Sequence, residues 1–148
     1  MDNKNRLFEV FEKVNKIKLT ESIIGEEILP MDNRVELIKK FIQECAELLK
    51  LQTLPQINLI LEPNVAKKLE TFGNYKFNDN IIDVVCENRN LADILRTLGH
   101  ELVHHMQNLK HPLNSDSGKT GSAEENEANK LAGEILRKFS KEHPEIFE

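Results

Sequence analysis

With 148 residues, 39% of them hydrophobic, and a formal net charge of −5, the chain has the size of one domain, 1–148, able to bury about two-thirds of its unfolded surface. The charge is spread without a basic stripe, which argues against a nucleic-acid partner, and no apolar run approaches the length of a membrane span. Met1 to Arg6 leads into no apolar signal core, so the chain is expected in the cytoplasm, with Cys45 and Cys86 reduced and structural; neither has a CxxC spacing or a nearby His that would suggest metal binding.

The amino-terminal part predicts a short helix near Arg6 to Lys16 and an irregular bridge through Gly25 to Pro30. Asp32 or Asn33 then caps a longer helix that ends before Pro55. Its wide apolar face consists of Val35, Leu37, Ile38, Phe41, Ile42, Cys45, Leu48 and Leu49. Residues 1–55 therefore read as a helical scaffold, and 56–148 as the sheet and the helices packed on it. Gln56 to Leu61 alternates and then turns apolar, which suits a strand ended by Pro63-Asn64. Two β-rich runs, Phe72 to Phe77 and Ile81 to Cys86, flank Asn78-Asp79-Asn80 and make a hairpin.

Asn90 caps the next helix, with Asp93 where a capping box wants an acid. Leu91, Leu95, Leu98, Leu102, Met106 and Leu109 recur at three- and four-residue steps and form its apolar stripe. Almost opposite that stripe stands His100-Glu101-Leu102-Val103-His104, an HExxH run. Two imidazoles four apart lie roughly 40° apart around a helix and roughly 6 Å along it, the bite that tetrahedral zinc requires. Glu101 projects to the neighbouring side, where it can take a proton from a zinc-bound water without ligating. The ordinary reading of one such His is a surface residue on a polar face; a pair at i, i+4 enclosing a Glu favours metal.

A catalytic zinc needs a third protein ligand and keeps a fourth position open. After the Ser- and Gly-containing loop Pro112 to Gly121, a second helix begins near Ser122, with Leu131, Ala132, Ile135, Leu136 and Phe139 at helical spacing. Glu125 and Asn129 lie on one row beside its apolar face, whereas Glu127 points away. That row suits a ligand and an amide hydrogen-bonded to a ligating His. Ser122 with Glu125 is also a capping box, the commoner meaning of Ser-x-x-Glu, and Glu124 is the other candidate ligand.

HExxH followed some twenty residues later by Glu125-Asn126-Glu127-Ala128-Asn129 resembles the gluzincin zinc metallopeptidases, including thermolysin-like, CAAX-processing and ImmA/IrrE-type members. The likeness covers about residues 80 to 137. It implies Glu125 as third ligand, Asn129 as its partner, and an α+β zincin-like domain: a small antiparallel sheet on an active-site helix, with a second ligand-bearing helix and amino-terminal scaffold helices. Asn at 129 departs from the more usual Asp. A weaker likeness, through the His-Glu-Leu-Val-His-His run, is to short single-domain proteins encoded by tailed phages. The metzincin pattern is excluded, because Gln107 and Lys110 stand where Gly and His are needed and His111 comes one residue late.

The function expected from these residues is zinc-dependent hydrolysis of a peptide or protein substrate with Glu101 as general base. In this picture the strand before the HExxH helix offers its edge to the substrate. Tyr75, His105, His111 and Arg96 are the candidates for oxyanion stabilisation, with sheet packing the ordinary role for Tyr75 and a half-exposed core flank that for His105. The alternative is a zincin-fold structural or binding component, for example a virion or assembly protein with virion partners and little proteolysis. A third reading is a regulator that cleaves one partner. A closed structural zinc site would have no need of Glu101, which favours the enzyme.

Overall fold

The computed structural model describes residues 18–20, 28–61 and 71–147, with side chains from residue 34 onward. The expected helix at 6–16 and the strand end at Pro63-Asn64 lie outside the described residues. The remainder is α+β. Strand β1 (Lys18–Thr20) precedes helix α1 (Ile28–Leu48), strand β2 (Gln56–Ile60), the hairpin β3 (Gly73–Lys76) and β4 (Ile81–Val85), then helices α2 (Leu91–Lys110) and α3 (Ala123–Glu142) and a 3-10 turn at Pro144–Phe147.

Helix α1 starts earlier than Asp32 or Asn33, the residues expected to cap it, and takes in Ile28 to Pro30. Pro30 stands in its first turn, where a missing N–H leaves no helical hydrogen bond unmade. Ile38, Phe41, Ile42 and Cys45 are fully buried as the spacing predicts, but Leu48 is exposed. The helix ends with Lys50 in the left-handed region (φ 53°), Leu51 N–H donating to Ala46 O (3.0 Å) and Lys50 N–H to Glu47 O (3.2 Å). This paired closure satisfies carbonyls that the last turn would leave open.

The sheet order is β1-β2-β4-β3. Among the described residues it is mixed rather than antiparallel: β1 pairs β2 and β2 pairs β4 in parallel, and the hairpin β3/β4 is antiparallel. Hairpins are recognisable because their turn is local, and Asn80 at φ 55° closes this one with Asp79 N–H on Lys76 O at 3.1 Å. Parallel pairing joins segments distant in sequence, so no local pattern announces it. The order also corrects the expected edge. The strand just before α2 is β4, enclosed between β2 and β3; β1 and β3 stand at the two ends, and β3 is the end strand next to β4.

Helix α2 runs through the middle of the molecule. Its expected stripe is buried as far as Met106, while Leu109 is exposed. Burial also extends to Ala92, Ile94, Gly99, Glu101, Val103, His104, His105 and Gln107, because the sheet covers one side and α1 and α3 cover others. Phe41 of α1 and Phe139 of α3 meet edge to face, with ring centroids 5.2 Å apart. Gly99 admits this approach: a Cβ there would stand 3.3 Å from Phe41 Cζ and 3.4 Å from Ala132 Cβ. No helix among the described residues is long and apolar enough to cross a membrane.

Candidate metal centre

Asn90 caps α2 as predicted, its side chain accepting from Asp93 N–H at 2.9 Å and donating to Asp93 Oδ2 at 3.0 Å. The helix so started carries His100 and His104 one turn apart, with rings edge to face at 4.7 Å and Nε2 atoms 3.2 Å apart. Ser122 caps α3, its Oγ accepting from Glu125 N–H at 3.0 Å. In a full capping box the Glu carboxylate would reach back to the cap residue's N–H. Here Ser122 N–H donates instead to Lys119 O at 3.0 Å. The carboxylate of Glu125 reaches across to α2, with Oε1 2.9 Å from His100 Nε2 and Oε2 3.1 Å from His104 Nε2. Cap and ligand are thus compatible roles of one residue.

His100, His104 and Glu125 form a group that could hold a metal ion, their donor atoms within 4.8 Å of one another. Glu124 is not in it; its backbone carbonyl accepts from Gln107 Nε2 at 2.9 Å. Bonds of about 2.0–2.1 Å to a tetrahedral ion would set neighbouring donors roughly 3.3–3.4 Å apart. The three observed spacings, 2.9, 3.1 and 3.2 Å, are close to that edge. Two neutral imidazoles and one carboxylate carry a net charge of −1, which suits a divalent cation. Burial holds the His100 imidazole below its ordinary value, opposed by the Glu125 carboxylate and by a hydrogen bond to Asn129, so the ring is neutral and able to ligate at pH 7. Asn129 is thus a neighbour of His100 and lines the same groove.

Glu101 stands beside the group and outside it. The residue is 8% exposed, and burial pushes its carboxyl up to about 7, assisted by the charge of Glu125 and opposed by His104 and by the backbone N–H of Tyr75. A carboxyl near that value is suited to proton transfer at neutral pH. Tyr75 N–H reaches it because of strand alternation. Val85 N–H donates to Phe72 O at 2.8 Å, so Phe72, Asn74 and Lys76 turn their backbone groups toward β4, and Gly73 and Tyr75 turn theirs outward.

A groove of about 590 Å³ opens above these residues, lined on one side by Phe72 to Tyr75 and on another by Leu113 to Ser115, Ser117 and Gly118, with Arg96 at its rim. Of the four oxyanion candidates, His111 is exposed at the carboxyl end of α2 and does not line the groove. His105 is 1% exposed rather than half-exposed, and its Nε2 lies 3.1 Å from Thr53 O. The Tyr75 hydroxyl bonds to Asn80 Oδ1 (2.8 Å), His105 Nδ1 (2.9 Å) and Asn108 Nδ2 (3.1 Å), which ties the hairpin to α2 and matches a packing role. Arg96 lines the groove with an exposed guanidinium 2.9 Å from Asp93.

Two residues the sequence did not single out complete the centre. Gln107 accepts on Oε1 from His104 Nδ1 at 2.8 Å and donates from Nε2 to Glu127 Oε1 at 2.8 Å. Its position three after His104 was the available signal. Glu127, expected to point away, is reached by that long amide. Cys45 and Cys86 are buried, unpaired thiols with no part in the group. Comparison of the chain with protein-family models, with characterised proteins and with solved structures finds no match, so the chemistry of the centre rests on its own residues.

Proposed function

We propose that the chain is a zinc-dependent metallopeptidase with His100, His104 and Glu125 as ligands and Glu101 as general base. The observation that carries this reading is the convergence of two imidazole nitrogens and a carboxylate beside a buried carboxyl that does not join them. A set of two His and one Glu with an open fourth side is the donor chemistry of catalytic zinc, and a structural site would be closed by a fourth protein ligand. Zinc bound there would supply a Lewis acid that polarises a carbonyl and makes water a better nucleophile.

The chain's own residues do the remainder. Glu101 takes one proton of the attacking water as the C–O bond forms and delivers it to the amide nitrogen as the C–N bond breaks; the water's second proton passes from the new acid to the amine, leaving a carboxylate and an ammonium. Its bond from Tyr75 N–H holds the carboxylate toward the groove. Of the outward backbone groups of β3, Tyr75 N–H is held by Glu101 and Gly73 O accepts from Thr71 Oγ1. An extended peptide would therefore pair with the others of that edge beside the metal position, and Arg96, which lines the groove, would supply a cation to a developing oxyanion.

The test is hydrolysis of an unstructured protein and a random peptide library by the zinc-loaded chain, beside Glu101→Gln. Cleavage by the parent is expected, with none by a variant that keeps its zinc. Zinc retention by the parent with no cleavage in either substrate would favour a metal-binding component in place of a peptidase.

A further inference from the structure

The two ends of the Gln107 side chain face chemically different partners. Nε2 lies 2.9 Å from the carbonyl oxygen of Glu124 and 2.8 Å from Glu127 Oε1, both of which can only accept. That end must therefore be the NH2 group, and the amide oxygen must face His104 Nδ1, at 2.8 Å. An amide oxygen cannot donate, so Nδ1 carries the ring proton. In the neutral ring the lone pair then sits on Nε2, the atom facing Glu125 Oε2 at 3.1 Å and His100 Nε2 at 3.2 Å.

We propose that Gln107, oriented by Glu127 and the Glu124 carbonyl, is the positioning residue that fixes His104 in the Nδ1–H tautomer and aims its Nε2 lone pair at the metal position. The inference rests on the metal reading of the centre. Metal-ligating imidazoles are usually oriented by a direct bond to a carboxylate or carbonyl. Here the carboxylate is one residue removed and acts through an amide. The relay also joins the helices that carry the ligands, because Gln107 and His104 stand on α2 while Glu127 and Glu125 stand on α3. Gln107 and His104 are each 7% exposed, so water is a poor substitute for the bond between them, whereas Glu127 anchors the far end of the amide from an exposed position.

Nitrogen-15 chemical shifts of His104 in the metal-free, full-length chain read the tautomer without any variant, and a protonated Nδ1 is expected. Gln107→Leu removes the acceptor at similar volume, so zinc affinity measured by chelator competition should fall roughly 10–100-fold and the His104 tautomer should no longer be held. Gln107→Glu restores an acceptor for Nδ1 but sets a carboxylate oxygen against Glu127. Its affinity should therefore recover in part when it is combined with Glu127→Gln, which provides a donor at that contact while the Glu124 carbonyl still meets a carboxylate oxygen. A purely structural Gln107 would change thermal unfolding and leave the tautomer as in the parent. A proton on Nε2 of the parent, parental zinc affinity in Gln107→Leu, or no recovery in the double variant would each overturn the proposal. Absence of zinc binding by the parent would instead overturn the reading of the centre, with the tautomer still measured.

Discussion

Gly73 on β3 lies so close to α2 that a Cβ built on it would stand 2.3 Å from Cγ2 of Thr97 and 3.4 Å from Cγ of Glu101. Glycine is what lets the edge strand approach the helix closely enough for Tyr75 N–H to reach Glu101. Gly73→Ala should lift β3 from α2, destabilise the fold by about 1–3 kcal/mol, and reduce hydrolysis more than zinc content. Adding Thr97→Ser removes the opposing methyl and keeps the hydroxyl that accepts from Arg89 at 2.8 Å. The pair should regain stability and activity together; an unaffected Gly73→Ala would show that the strand shifts without consequence for Glu101.

Removing any one donor from the group leaves two, which hold a divalent ion far more weakly. His100→Ala, His104→Ala and Glu125→Ala should each lose most of their zinc, by elemental analysis after gel filtration, from about one ion per chain in the parent. Glu124→Ala should not. Full occupancy in Glu125→Ala would remove that residue from the set.

Asn129 lines the groove with the two imidazoles and is a hydrogen-bonding neighbour of His100, as Gln107 is of His104. Asn129→Ala should weaken zinc roughly 10–100-fold by releasing the His100 ring. Asn129→Asp keeps an acceptor and adds charge, so it should bind at least as tightly as the parent. Equal affinities in all three proteins, by competition against one chelator at one pH, would leave Asn129 a solvated helix residue.

Burial pushes the Cys86 thiol up to about 12, with Arg34 and Arg89 opposing, and holds Cys45 well above its ordinary value. Neither should react with a thiol reagent at pH 8 until the chain unfolds. The stability consequence has a definite sign. Below about pH 8.5 the Cys86 thiol is protonated in both states; above it the unfolded chain releases a proton that the folded chain retains, so stability falls between about 8.5 and about 12. Denaturant midpoints across that range should fall less steeply in Cys86→Ala.

Relations carried by the backbone period alone were legible before any folding. The i, i+4 spacing of His100 and His104, the caps at Asn90 and Ser122, the turn at Asn78 to Asn80 and the row from Glu125 to Asn129 each lie within one element or one turn, and each is found where its spacing predicts. Packing set the features that depend on which elements lie together. The parallel pairing of β2 with β4 joins segments that no local pattern connects, and it moves the sheet's edge from β4 to β3. The burial of His105 needs Thr53 and Tyr75 from two other segments. Gln107 is an ordinary polar residue until α3 brings Glu127 within 2.8 Å, and only then does its amide have one permitted orientation and His104 one permitted tautomer. Hydrogen-bond direction at the centre is set by partners from different helices, and so it depends on how those helices pack.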